Sequence, residues 1–222
     1  MATQTDERPE RRAPLSRDRV LHAAIDLADE AGIDALSMRK LAQELGVEAM
    51  SLYHYVARKD DILDGMLDVV FGEIDVPSTG GWRHAIRTMA ISTHEVLLRH
   101  RWACGLLMSA ARITDTRLRH MDTVLGRLRE AGFTDALTDH AYHAIDSYVV
   151  GFTLWLLPYL KIASEDPGFA ERFYAELPRG ELPHLAAHIE WHMAPANPDA
   201  VNAFEFGLDL ILDGLERLRD AG

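Results

Sequence analysis

One stretch, residues 37–59, constrains the fold of this chain more than any other, because it is punctuated as two short helices around a tight turn. Ser37 is a preferred N-cap, since its hydroxyl can accept a hydrogen bond from a free N–H of the first helical turn. Gly46 is suited to end that helix, because glycine enters the left-handed conformation without steric cost. The apolar residues at helical spacing between them are Leu41, Ala42 and Leu45.

A second helix is predicted over residues 48–56, with Leu52 and Val56 four residues apart and pointing inward. Its other positions carry few charges, unlike a solvated helix face. They are Ala49, Met50, Ser51, Tyr53, His54 and Tyr55. Hydroxyl and imidazole groups suit phosphate oxygens, and short or apolar side chains suit a thymine methyl group. Four cations flank this surface and could neutralise phosphates on both sides of a groove. They are Arg39, Lys40, Arg58 and Lys59.

Helix-turn-helix spacing also occurs in proteins that do not bind DNA. The spacing alone therefore leaves open a DNA-reading motif and a helical hairpin packed inside an all-α domain. Three segments together resemble the tetracycline-repressor (TetR) family of bacterial transcriptional regulators: SRDRVLHAAIDLADEAGIDALS, MRKLAQELGV and SLYHYVARKDDIL. The resemblance is strongest over residues 15–71. Residues 131–154 and 204–218 are similar to the helices that pair at the dimer interface of the tetracycline repressor itself.

The resemblance implies a ligand-responsive regulator that binds a palindromic double-stranded DNA operator as a homodimer. A repressor is expected, and an activator stays an alternative because operator position decides between them. A small-molecule binding module without DNA function is a second alternative, against which the presence of Arg39, Tyr53 and Lys59 counts. Ser37 and Tyr53 are expected to hold phosphates, whereas Ala49, Met50 and His54 face base edges. The full set of expected DNA contacts is Ser37, Arg39, Ala49, Met50, Ser51, Tyr53, His54, Tyr55 and Lys59. The tetracycline repressor has Gln and Pro at positions 49 and 50, so a different operator is expected.

Composition excludes several other classes of protein. Of 222 residues 48% are hydrophobic, which favours a folded globule. No apolar run approaches the roughly 20 residues that span a bilayer, and the polar N-terminus is not a secretory signal. Cys104 is the single cysteine, which fits a reducing cytoplasm. The net charge of −12 is unfavourable for DNA binding, but positive charge is concentrated at residues 37–59, where four basic residues outnumber two acidic ones.

No strand alternation appears, so an all-α fold is predicted, with an N-terminal three-helix DNA-binding domain and a C-terminal helical ligand-binding and dimerisation domain. The boundaries are 1–14 for a disordered arm, 15–74 for the helix-turn-helix domain with its connecting helix, and 75–222 for the second domain. The break is DVPSTGG at residues 75–81. The helices expected beyond it are 82–100, 103–110, 115–131, 135–160, 167–176, 185–193 and 199–220.

The second domain is rich in Trp, Met and Tyr, which line many small-molecule pockets but also fill ordinary cores. The residues that the resemblance places around a ligand are His94, Leu98, Trp102, Leu107, Met108, Tyr148 and Trp155. Leu107 and Trp155 occupy the positions of a magnesium-binding histidine and glutamate in the tetracycline repressor. Neither can ligate a hard cation, so an apolar or aromatic effector is expected, with no metal or cofactor.

Three further features bear on function. His184, His188 and His192 share a helix face but lack the H-E-x-x-H order of zinc proteases, so a partly exposed histidine stripe is favoured over a metal site. The helices 135–160 and 199–220 are apolar over several faces, and the resemblance implies that they form a homodimer interface. A Gly-rich phosphate loop and a nucleophile elbow are both missing from the sequence, which argues against an enzyme.

Overall fold

The computed structural model describes residues 14–108, 113–194 and 202–222. Those residues form eleven α-helices and one 3₁₀ helix, with no strand among them, so the predicted all-α fold is confirmed. The α-helices are α1 (Arg17–Ala31), α2 (Met38–Leu45), α3 (Ala49–Leu52), α4 (Lys59–Gly72), α5 (Trp82–Arg99), α6 (Arg101–Leu107), α7 (Asp115–Glu130), α8 (Asp135–Glu165), α9 (Phe169–Glu176), α10 (Pro183–Met193) and α11 (Ala203–Ala221). The 3₁₀ helix is Ile33–Ala35.

The chain divides into two compact units, the first ending at Val69 and the second beginning at Val70. The division falls inside α4, which is continuous from Lys59 to Gly72. Residues 1–13 of the predicted arm lie outside the described residues.

The first unit is built from helices whose ends are set by local hydrogen bonds. The Ser16 hydroxyl accepts from the Arg19 N–H at 3.2 Å and caps α1, and the Ser37 hydroxyl accepts from the Lys40 N–H at 3.2 Å and caps α2. Gly46 ends α2 at φ 66° and ψ 38°, in the left-handed region as predicted. The core of this unit includes Val20, Leu27, Leu41, Leu45, Leu52 and Val56.

The second helix of the motif is shorter than predicted. It was expected over residues 48–56, but α3 ends at Leu52 and the chain continues as a turn. The Tyr53 N–H donates to the Met50 carbonyl, and the Tyr55 N–H donates to the Leu52 carbonyl at 2.9 Å, each bond reaching three residues back. This change to tighter bonding ends the α-helix, yet it leaves Leu52 and Val56 buried as the spacing required.

The second unit packs α5, α7, α8 and α11 around one apolar core. Its fully buried members include Ile86, Leu128, Phe204, Leu208 and Leu212. Two arginines of α5 also pair with acidic residues of α11. Arg87 lies 2.9 Å from Asp209 and 2.6 Å from Glu205, while Arg83 pairs with Asp213 and Glu216. These half-exposed ion pairs fix the register of α5 against α11 more than they add stability.

Several helix boundaries in this unit differ from those predicted. Helix α6 begins at Arg101 rather than 103, and α8 runs to Glu165 rather than 160, with Pro158 inside it. A proline removes one backbone donor without ending a helix whose neighbouring turns hold it. Helix α11 starts at Ala203 after the Asn202 side chain, which accepts from the Phe204 N–H at 2.8 Å. Its predicted start at residue 199 lies outside the described residues.

In the described part of the chain, none of the helices is both long enough and apolar enough to span a membrane. Large apolar side chains are nevertheless exposed on several helices, among them α8 and α11. On α8 they are Leu154, Trp155, Tyr159 and Ile162, and on α11 they are Phe206, Leu210 and Leu218.

The close approach of α8 to α11 at Gly207 generates a stability prediction. The Tyr148 hydroxyl donates to the Phe204 carbonyl at 2.9 Å, and a Cβ at position 207 would overlap that hydroxyl. We expect Gly207→Ala to lower the free energy of unfolding by about 1–3 kcal/mol through overpacking, as measured by urea denaturation.

The matched control is Gly126→Ala on α7, where an added Cβ meets nothing within 4 Å. That change should be neutral or stabilise the protein by up to about 1 kcal/mol, because alanine favours a helix over glycine. Equal unfolding free energies for the two variants would contradict the tight contact at Gly207.

Candidate nucleic-acid interface and ligand cavity

The nine residues predicted to contact DNA lie at the surface of the first unit. None of them is buried. Ser37, Arg39, Met50, Tyr53, His54, Tyr55 and Lys59 are exposed, and Ala49 and Ser51 are half-buried. Met50 is 72% exposed and Tyr53 47%, although both are large side chains that contribute apolar area. A surface that presents such groups beside cations is suited to a groove that is polar at its rim and carries methyl groups on its floor.

The packing of α2 and α3 explains why these residues point outward. Leu45, Leu52 and Val56 are buried and take the inner face of the motif. Because α3 is only one turn long, Tyr53 and His54 lie in the turn that follows it. The Ser37 hydroxyl accepts the capping bond, but its own O–H remains able to donate to a phosphate oxygen.

The cations of the interface keep their charged groups at the surface. Arg39, Lys40 and Lys59 are exposed. Arg58 lies 4.0 Å from Asp61, but its side chain is 78% exposed, and the firmer contact is its backbone N–H, which donates to the Asp61 carboxylate at 2.9 Å. These groups can therefore supply phosphate contacts at both ends of the motif.

The second unit contains a cavity of about 310 Å³. It is lined by Phe71 of α4, Thr93 of α5, Leu107 and Met108 at the end of α6, Arg117, His120 and Met121 of α7, and Tyr142, Asp146, Ser147, Val150, Gly151 and Leu154 of α8. The volume is at the lower end of the range for small-molecule sites. One part of the wall is apolar, and α7 and α8 together supply a polar part.

The polar wall holds neutral hydrogen-bonding groups next to a carboxylate. Burial lowers the pKa of His120, and the charge of Asp146 opposes that shift. Burial and Asp146 together raise the pKa of Tyr142 to about 12, while Arg117 opposes them. Near neutral pH the Tyr142 phenol is therefore a hydrogen-bond donor, and the cavity can orient a polar group on an otherwise apolar molecule.

The structure brings only two of the seven predicted ligand-binding residues to this cavity, namely Leu107 and Met108. The side chain of His94 is buried elsewhere, with Nδ1 2.7 Å from the Thr153 hydroxyl and its ring stacked on Phe204 at 4.0 Å. Burial lowers the pKa of His94. The Tyr148 hydroxyl is bonded to a carbonyl of α11.

The remaining three predicted ligand residues are also away from the cavity wall. Trp102 is buried beside the ring of His100, Leu98 is half-buried, and Trp155 is 58% exposed. These placements leave the binding roles of all seven residues as predictions. The cavity wall instead carries polar residues that were not predicted.

Sequence reasoning missed Arg117, His120, Tyr142 and Asp146. A signal was present, because Arg117 and His120 are three residues apart and Tyr142 and Asp146 are four apart. Such spacing places each pair on one helix face. Which face of α7 meets which face of α8 is not a local property of either segment.

A metal centre is not evident among the described residues, where no group of three His, Cys, Asp or Glu side chains is arranged to hold an ion. His184, His188 and His192 are exposed on α10, and the rings of the last two lie 4.5 Å apart. Burial raises the pKa of Cys104 to about 11, so its thiol stays protonated and unreactive near neutral pH.

Comparison with known protein families gives two matches along the chain. Residues 20–66 match the family described as bacterial regulatory proteins, tetR family. Residues 76–219 match the family described as tetracyclin repressor-like, C-terminal domain.

Individual relatives cover most of the chain. The HTH-type transcriptional repressor DrrR1 of Streptomyces coeruleorubidus is 37% identical over 96% of this chain and 83% of its own length. The class A tetracycline repressor protein of Escherichia coli is 32% identical over 92% of each chain. Among solved structures, ActR of Streptomyces coelicolor in complex with (S)-DNPA has a TM-score of 0.69 and 29% identity, over 93% of this chain and 100% of its own.

The exposed side chains of the motif generate a prediction about DNA recognition. Tyr53→Ala should weaken binding to every duplex alike, because a phosphate contact carries no sequence information. Met50→Gln should instead change the preferred sequence, because glutamine can form two hydrogen bonds with adenine. Both variants would be measured by fluorescence anisotropy on a panel of duplexes that differ at single base pairs. Equal losses on every duplex for both variants would contradict this division of roles.

Proposed function

The chain belongs to the tetR family of bacterial regulatory proteins, and we propose that it is a dimeric repressor released from its operator by a small molecule in the cavity of the second unit. Family membership makes it a helix-turn-helix transcriptional regulator. The relatives named above are transcriptional regulators rather than enzymes. We place its action in the cytoplasm, where bacterial operators are found.

The observation that carries the proposal is the outward presentation of Met50, Tyr53 and His54 beside exposed cations. Their inner neighbours Leu52 and Val56 are buried, so this surface is held in place by the core of the first unit. We assign DNA reading to residues 15–74 and ligand binding and dimerisation to residues 75–222. Acidic residues outnumber basic ones in the second unit, and this charge asymmetry would favour the approach of DNA to the basic motif.

A homodimer is supported by the exposed apolar residues of α8 and α11. Trp155 and Tyr159 of α8 and Phe206 and Leu210 of α11 are each more than half exposed. Apolar side chains grouped on two long helices mark an interaction surface. A second copy of the chain is the natural partner, because two-fold symmetry lets two motifs read the halves of a palindrome.

The proposed effector is a small molecule with aromatic or apolar surface and one hydrogen-bonding edge. This follows from the apolar wall formed by Phe71, Leu107 and Leu154, opposite the polar groups of Tyr142 and Asp146. ActR has also been solved in complex with actinorhodin, at 28% identity to this chain. A magnesium–tetracycline chelate is not expected, since position 107 carries leucine and position 155 carries an exposed tryptophan that is not among the residues lining the cavity.

The regulator itself is tested by titrating the purified protein against the double-stranded DNA upstream of its own gene and against a scrambled duplex. We expect specific binding with two subunits per site and a steep loss of affinity between 50 and about 200 mM salt. Equal weak binding to both duplexes, with the protein folded, would refute a repressor that acts on its own upstream region.

The binding role of the cavity is tested by a substitution that fills part of its volume. Gly151 lies on its wall, and an added Cβ there meets no atom within 4 Å. Gly151→Leu should therefore fold and keep its operator affinity, while its affinity for an occupant of the cavity falls at least about tenfold through steric exclusion. Binding of actinorhodin would be followed by quenching of tryptophan fluorescence.

The matched control is Gly105→Leu on α6, where an added Cβ also meets nothing within 4 Å and which is not part of the cavity wall. It should bind actinorhodin as the natural chain does. Equal actinorhodin affinity in both variants would place the ligand outside this cavity. A requirement of magnesium for tetracycline binding would contradict the expected effector class.

A further inference from the structure

Helix α4 ends at a cluster of charged side chains that the cavity does not use. Glu73 follows the last turn of α4, and its carboxylate accepts from the Arg99 guanidinium at 2.7 Å. Its other oxygen lies 3.3 Å from Nε2 of His100. Arg99 is the last residue of α5, and His100 is the residue between α5 and α6. One carboxylate thus joins the end of α4 to the corner between two other helices.

The cluster is partly shielded from solvent. The His100 side chain is 10% exposed and that of Glu73 37%. Burial alone would raise the pKa of Glu73, but the hydrogen bonds from Arg99 and His100 outweigh it and hold that pKa below its usual value. Charge-assisted contacts in such a site are stronger than those of a fully exposed pair.

Two hydrogen bonds tie the segment after α4 to other helices. The Asp75 N–H donates to the Ser92 hydroxyl at 2.8 Å, which ties it to the middle of α5. The Arg127 guanidinium of α7 donates to the Pro77 carbonyl at 2.9 Å. Neither of those bonds reaches the corner between α5 and α6, whereas the Glu73 carboxylate contacts His100 at that corner. Ile74 is buried and adds apolar packing without a fixed direction.

Helices α4 and α6 also form part of the cavity wall. Phe71, in the last turn of α4, and Leu107, at the end of α6, both line it. A molecule in the cavity therefore contacts both helices that Glu73 joins. At its other end α4 begins with Lys59, one of the proposed DNA contacts.

We propose that Glu73, Arg99 and His100 form a charged clasp that positions α4 for DNA binding by tying its last turn to the corner between α5 and α6. This proposal rests on the proposed repressor function and adds the residues through which the cavity and the DNA-binding motif are coupled. An occupant of the cavity that moves α6 relative to α4 acts against the clasp. Glu73, Arg99 and His100 are positioning residues, because they are neither among the predicted DNA contacts nor among the residues that line the cavity.

The first measurement is hydrogen exchange on the full chain without DNA or ligand. The Ile74 N–H bonds to the Phe71 carbonyl, and the Ala103 N–H bonds to the His100 carbonyl at 2.8 Å, so each amide reports on one side of the clasp. We expect Glu73→Gln to speed exchange of both amides together, by about tenfold. Arg99→Gln should act in the same direction but less, because the His100 contact remains.

The second measurement is affinity for the duplex upstream of the gene. Glu73→Gln should weaken binding about fivefold, although residue 73 is outside the predicted DNA contacts. The control is Glu216→Gln, which removes a carboxylate that lies 3.4 Å from Arg83. The Glu216 side chain is 42% exposed, close to the 37% of Glu73. It should leave operator affinity and exchange at Ile74 and Ala103 unchanged.

Two results would overturn the clasp. One is faster exchange at Ile74 without a change at Ala103, which would mean that Glu73 does not link the two helices. The other is operator affinity in Glu73→Gln within twofold of that of the natural chain. Failure of the natural chain itself to bind any duplex would be a different result, because it would refute the repressor function on which the positioning role depends.

Discussion

The packing of α5, α8 and α11 around the ring of His94 is the interaction on which the second unit depends. The ring stacks on Phe204 of α11 at 4.0 Å, and its Nδ1 is 2.7 Å from the Thr153 hydroxyl of α8. A buried imidazole that stacks and hydrogen-bonds in this way has one orientation, so it fixes three helices at once. The cavity wall on α8 and the exposed apolar faces of α8 and α11 follow from that arrangement.

This arrangement separates three tasks along α8. One set of residues, including Ile145 and Val149, is buried in the core, whereas Tyr142 and Asp146 border the cavity. Trp155 and Tyr159 stay exposed, on the surface proposed for the homodimer. A helix of 31 residues with several apolar faces can serve all three because each face meets a different neighbour. In the proposed repressor, ligand binding and assembly would therefore both use α8.

The DNA-binding motif could be predicted closely from the sequence. The cap at Ser37, the turn at Gly46 and the inward positions of Leu52 and Val56 all appear in the structure as expected. The length of α3 could not be predicted, since apolar spacing does not distinguish an α-helix from a helix turn followed by a tighter one. A ligand cavity was predicted, but only two of the seven residues expected to line it do so. Aromatic residues such as His94 and Tyr148 pack in the core instead.

The sequence by itself determined the all-α class, the cap at Ser37, the turn at Gly46 and the residues that a DNA-binding motif must expose. Caps, turns and apolar periodicity involve residues within a few positions of one another, so they can be recognised from the sequence alone. Only the tertiary structure decided that His120 meets Asp146 beside a cavity, and that Glu73 meets Arg99 and His100 at the end of α4. Those contacts join residues 26 or more positions apart, and they form only after packing has fixed how the helices cross.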